Sequence, residues 1–80
     1  MPVLMDQKDE VLKKFGRYLT ALREEKKMTI QELATATGLT SHQLRRIEVG
    51  EVDILFTTVV MLSRGLDITP GELLQSLDPD

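Results

Sequence analysis

Eighty residues carry 10 Lys and Arg against 13 Asp and Glu, a net charge of −3, with one histidine and no cysteine. That length allows one small domain that must use its apolar residues efficiently, and the missing thiols exclude a disulfide framework and a thiolate metal site. The longest purely apolar stretch is "VVML", and the N-terminal "MPVLMDQKDE" has no basic segment ahead of an apolar run. Neither secretion nor a membrane span is therefore expected, and a reducing cytoplasm is the expected setting.

The acidic total weighs against a polyanionic partner, because neutralisation of phosphates by Lys and Arg supplies most of the affinity for DNA. The acids, however, gather at the ends. Residues 1–10 sum to −2 and residues 78–80 to a further −2, which leaves residues 11–77 at +1. Local patches therefore decide.

Along the chain, apolar side chains fall first at Leu12, Phe15, Leu19 and Leu22, with Val11 and Tyr18 beside them. Steps of three and four put these on one face of a helix running from residue 11 to about Lys27. "TIQE" follows: the Thr29 hydroxyl caps the next helix while Glu32 reaches back, a capping box. The same signature recurs at Thr40 with Gln43 and at Thr69 with Glu72, where Pro70 takes the favoured first helical position.

A second helix is expected over residues 30–37, with Leu33 and Ala34 inward and Gly38 as a left-handed terminator. A third spans residues 41–49, with Leu44 and Ile47 inward and Gly50 as its stop. "LFTTVVMLSRGL" reads as a buried fourth helix over residues 55–64, ended by Gly65, and "PGELLQSL" as a fifth. No stretch alternates like a strand, so the fold class is all-α with five helices. Residues 1–8 are expected to form a flexible arm, 9–77 the domain and 78–80 a short tail.

Helices two and three, joined by Gly38-Leu39-Thr40, form a helix-turn-helix corner. The small Ala34 allows close approach and Leu39 plugs the turn. The ridge of His42, Arg45, Arg46 and Val49 points away from Leu44 and Ile47, so it is expected to be exposed. By itself such a ridge is equally a solvated helix face.

"LREEKKMTIQELATATGLTSHQLRRIEVGE" resembles the lambda-repressor-like, Cro/C1-type (XRE) helix-turn-helix family of five-helix DNA-binding domains. The likeness continues through "VVMLSRGLDITPGELL" and covers roughly residues 12–75. It implies sequence-specific binding of double-stranded DNA by a small repressor-like transcriptional regulator, with the helix over residues 41–48 in the major groove. Carried over by position, Ser41, His42 and Arg46 stand where family members read bases, flanked by Thr40, Gln43 and Arg45. The chemistry agrees: Arg can meet guanine through two hydrogen bonds, Gln can meet adenine, and Ser and His can bond base edges or phosphate.

By the same resemblance Arg23 and Glu48 form a structural ion pair joining the first helix to the end of the third. A homodimer is expected, because two-fold pairing sets two recognition helices about 34 Å apart, one turn of DNA. Its contact surface is expected at the apolar end "LLQSL" or at the N-terminal "PVLM".

Some positions depart from the family pattern. Ile30 stands where many relatives carry a phosphate-gripping glutamine, Asp53-Ile54 replaces the usual Asn-Pro, and Glu51 and Asp53 bring negative charge near the DNA backbone. Lys26, Lys27, Lys13, Lys14 and Arg17 offer compensating charge. These departures, with the acidic total, motivate the alternative: a protein-interaction module such as an antitoxin, anti-repressor or assembly subunit, with Ile30 and the acidic loop as its surface. One His and no Cys do not make a zinc site, and neighbouring Ser41 and His42 point apart on a helix, so no enzyme, cofactor or small-molecule ligand is expected.

Overall fold

Three threonines set helix starts. In the computed structural model, which describes residues 3–77, the hydroxyls of Thr29, Thr40 and Thr69 each accept the backbone N–H three residues on, all at 3.0 Å. The side chains of Glu32, Gln43 and Glu72 accept in return from the threonine N–H groups, at 2.8 to 2.9 Å. Orphan donors at each start are thereby satisfied, which is the physical content of the capping box.

The elements are α1 (Val3–Glu25), α2 (Ile30–Thr37), α3 (Ser41–Glu48), α4 (Phe56–Gly65) and α5 (Pro70–Leu74), the last tightening into a 3-10 turn over Gln75–Leu77. Among the described residues there is no strand.

One boundary differs from the sequence expectation. α1 begins at Val3 rather than at residue 11, so residues 3–8 of the expected arm are helical. "VLMDQKDE" holds good helix formers and neither Gly nor Pro; periodicity reports a face against a core, and it falls silent where a helix runs past the core. Residues 1, 2 and 78–80 lie outside the described residues. α4 ends at Gly65, as expected, but the left-handed turn beyond it is not made by the glycine. That role falls to Asp67, with φ 58°, and Gly65 instead allows contact with α2: a Cβ there would run into the Thr37 methyl and stand 3.3 Å from the Ala36 carbonyl carbon.

Gly16 serves the same purpose between α1 and α3. A Cβ there would lie 2.7 Å from the Ile47 carbonyl oxygen and closer still to that of Glu48. α1 thus passes over the C-terminus of α3 almost backbone to backbone.

All five helices feed one core: Phe15 and Leu19 from α1, Leu33 and Ala34 from α2, Leu44 and Ile47 from α3, Val59 and Leu62 from α4, and Leu73 from α5, with Leu66 between the last two. Each fully buried leucine contributes about 1.5–3 kcal/mol. Leu39 packs against this core from the turn, and so does Ile30. Ile30 therefore completes the packing under α2 and is not the exposed apolar contact that its polar counterpart in relatives suggested.

Candidate nucleic-acid interface

The exposed ridge is built on a helix whose inner side is fully committed. Gly38, with φ 81°, closes α2 by donating to the Ala34 carbonyl at 2.9 Å, and two residues later Thr40 starts α3. With Leu44 and Ile47 buried, His42, Gln43, Arg45 and Arg46 are exposed and Ser41 is half-buried at the helix start. Val49, exposed, extends the ridge at its far end. The structure brings the sequence-nominated residues onto one surface.

Their chemical freedom is unequal. Thr40 spends its hydroxyl on the Gln43 N–H, and Gln43 spends its side-chain oxygen on the Thr40 N–H at 2.9 Å. Gln43 retains its amide N–H₂ as a donor, and a two-bond contact to adenine would require opening the box. Arg45 has no ion pair among the described residues, whereas Arg46 Nε lies 3.5 Å from Glu51 Oε2.

Arg23 and Glu48 sit apart from the ridge. Arg23 Nε donates to Glu48 Oε2 at 2.8 Å and Nη2 to Oε1 at 3.2 Å, while Nη1 donates to the Met28 carbonyl at 2.8 Å. The Thr20 hydroxyl adds a bond to Glu48 Oε1 at 3.0 Å. The side chains are only 13% and 8% exposed. The hydrogen bond to Glu48 raises the Arg23 pKa above its ordinary value against the opposing effect of burial, and the Glu48 charge adds to the rise. One guanidinium thereby ties α1 to the end of α3 and to the loop leading into α2. Sequence reasoning missed Thr20, although Gly16, Thr20 and Arg23 share a face of α1 at steps of four and three.

The acidic loop is engaged within the chain. Asp53 accepts the Ile54 N–H at 2.9 Å and pairs with Lys8 at 3.2 Å; the backbone bond first, then Lys8, hold its pKa below the ordinary value. A cleft of about 260 Å³ beside the ridge is lined by His42, Arg46, Val52 and Leu55 among others. Lys13, Lys14 and Arg17 line a different groove, with Val11 and Leu77. Lys26 and Lys27 are exposed at the end of α1. No group of His, Asp and Glu among the described residues has the makings of a metal site, and no described helix is long and apolar enough to cross a membrane.

Comparison with known proteins agrees with this geometry. The family model of the Cro/C1-type HTH DNA-binding domain matches residues 18–78. Over 40 residues, half of this chain, the sequence is 45% identical to the HTH-type transcriptional repressor RghR of Bacillus subtilis (strain 168), of which the match covers 30%. This chain thus spans less than a third of that relative's length.

Among solved structures, the restriction-modification controller protein C.AhdI from Aeromonas hydrophila is 34% identical, with a TM-score of 0.76 over 78% of this chain and 94% of that one. The clp gene regulator ClgR from C. glutamicum has the same TM-score of 0.76 at 21% identity, over 82% and 86% of the two chains, a likeness of fold alone. With the corner, the exposed ridge and the family model in agreement over most of its length, the chain belongs to the Cro/C1-type helix-turn-helix DNA-binding domain family.

Proposed function

We propose that this chain binds double-stranded DNA sequence-specifically as a small, repressor-like transcriptional regulator of the cytoplasm, with α3 in the major groove. The observation that carries this is the division of α3: Leu44 and Ile47 are buried, Glu48 is clamped by Arg23, and the remaining face offers Ser41, His42, Gln43, Arg45 and Arg46. A helix held on one side with hydrogen-bonding side chains on the other is what reading base edges requires. Arg45 and Arg46 are assigned to guanine or adjoining phosphate, Ser41 and His42 to base edges at the helix start, and Thr40 and Gln43 to its first turn. Lys26 and Lys27 are assigned to phosphates.

Two copies acting together would supply a site of useful length. Leu73 of α5 is buried and Leu74 packs on the core, while Leu77 is 39% exposed and shares a groove with Val11, so the expected pairing through "LLQSL" would rest on Leu77. The expected "PVLM" surface lies where side chains are outside the described residues. Better support goes to Leu55 and Phe56, 71% and 74% exposed at the start of α4. Leu55 lines the cleft beside His42 and Arg46.

The protein-partner alternative drew on the acidic total, on Ile30 and on the acidic loop. Ile30 packs against the core, and Glu51 and Asp53 face Arg46 and Lys8, so two of its three motives weaken. NMR titration of the labelled protein with a mixed duplex pool tests the choice. Shifts concentrated at residues 40–46 support the DNA reading, and shifts confined to other surfaces refute it.

A further inference from the structure

α3 ends in a loop with strict backbone geometry. Gly50, with φ 78°, donates to the Ile47 carbonyl at 3.1 Å and Glu51 to the Arg46 carbonyl at 3.0 Å. This paired closure is a Schellman motif, and it returns residue 51 to the turn from which Arg46 projects. Glu51 Oε2 consequently lies 3.5 Å from Arg46 Nε. The other loop acid, Asp53, is turned to Lys8, so Glu51 alone in the loop pairs with a ridge arginine.

The contact involves one edge of the guanidinium. Nε faces the carboxylate, and both terminal amino groups remain for an outside acceptor, such as O6 and N7 of guanine. It is also weak enough to adjust: the side chains are 47% and 61% exposed and the separation is long, unlike the 2.8 Å clamp of Arg23 on Glu48. Solvent screens such a pair strongly.

We infer that Glu51 is a positioning and specificity-determining residue acting through Arg46, an inference that rests on the DNA-binding reading above. An arginine with no neighbour would reach any phosphate, the usual source of sequence-independent affinity. A carboxylate beside it competes with phosphate for the same guanidinium and repels the backbone. At a guanine in register, the terminal amino groups bond the base while Glu51 keeps its place at Nε. Glu51 thus weakens binding to every duplex but weakens it least at the cognate one.

The test is equilibrium titration of the wild type, E51Q, R46Q and the double variant against a duplex selected by the wild type and a random duplex of equal length, at one salt concentration. E51Q leaves the backbone bonds of the loop in place, and a thermal melt checks folding. The expected result is tighter binding of E51Q to random duplex by about two- to fivefold, the range spanned by exposed ion pairs, with a smaller gain on the selected duplex, so that the specificity ratio falls. In the R46Q background E51Q should shift both duplexes alike. An E51Q ratio equal to or above that of the wild type overturns the inference while leaving DNA binding intact. A wild type that selects no sequence removes the DNA-binding reading, and this inference with it.

Discussion

Arg23 and Glu48 meet through two hydrogen bonds, at 2.8 and 3.2 Å, across the junction of α1 and the last turn of α3. The pair is largely shielded from solvent, with side chains 13% and 8% exposed, and Thr20 and the Met28 carbonyl add further hydrogen bonds. Removing one partner leaves the other charge in a poor environment, and the general cost is on the order of 3 kcal/mol. Arg23→Ala should lower stability by about that amount in urea denaturation, a large share of what so small a domain possesses. A loss below about 1 kcal/mol, the level of surface pairs, would show that the clamp is not structural.

Gly16 is the narrowest point between α1 and α3. Gly16→Ala places a methyl 2.7 Å from the Ile47 carbonyl oxygen, so the helices must separate, at a cost of about 1–3 kcal/mol. Gly71→Ala, where the nearest atom would be 3.8 Å away, is the matched control and should leave the midpoint nearly unchanged. Equal effects at the two positions would refute the close approach.

Phe56 is 74% exposed, so Phe56→Asp should preserve the melting transition. If the start of α4 pairs two copies, sedimentation should show the dimer weakened about tenfold or more, the scale of a central aromatic contact. An unchanged association constant would move the interface elsewhere.

Glu72 titrates in a way that reports its cap. The Thr69 N–H bond, followed by the Thr69 hydroxyl, holds its carboxyl below the ordinary value of 4.5. The folded value lies below the unfolded one, so the stabilisation is present above the unfolded value and is lost as pH falls through the folded one. Carboxyl NMR should give a Glu72 midpoint below 4.5, with the protection of α5 amides, relative to their intrinsic exchange at each pH, falling on further acidification. A midpoint at or above the ordinary value would mean that the box is open in solution.

Much of this was legible in the residues because its causes are local. Each Thr with Glu or Gln three positions on marked a helix start, and the inward residues of α2 and α3 followed from periodicity. What was not legible depends on the path of the chain. Ile30 read as surface because its packing is decided by residues distant in sequence, and Gly65 read only as a stop because its contact with Ala36 and Thr37 leaves no local trace. Glu51 read as a repellent of phosphate or as part of a protein-facing acidic loop. Its approach to Arg46 follows from the left-handed turn at Gly50, which sequence identified as an ending without showing where the next side chain would land. Arg23 and Glu48 were nominated through family resemblance, since 25 residues separate them.

The central claim is that the exposed face of α3 reads base sequence. Selection of bound duplexes from a random pool, with the wild type and an Arg45→Ala, Arg46→Ala double variant side by side at low and near-physiological salt, measures it most directly. The expected result is an enriched site, two-fold symmetric if the protein pairs, that the double variant no longer selects. Enrichment of the same site by both proteins, or of none by the wild type at either salt, would contradict it.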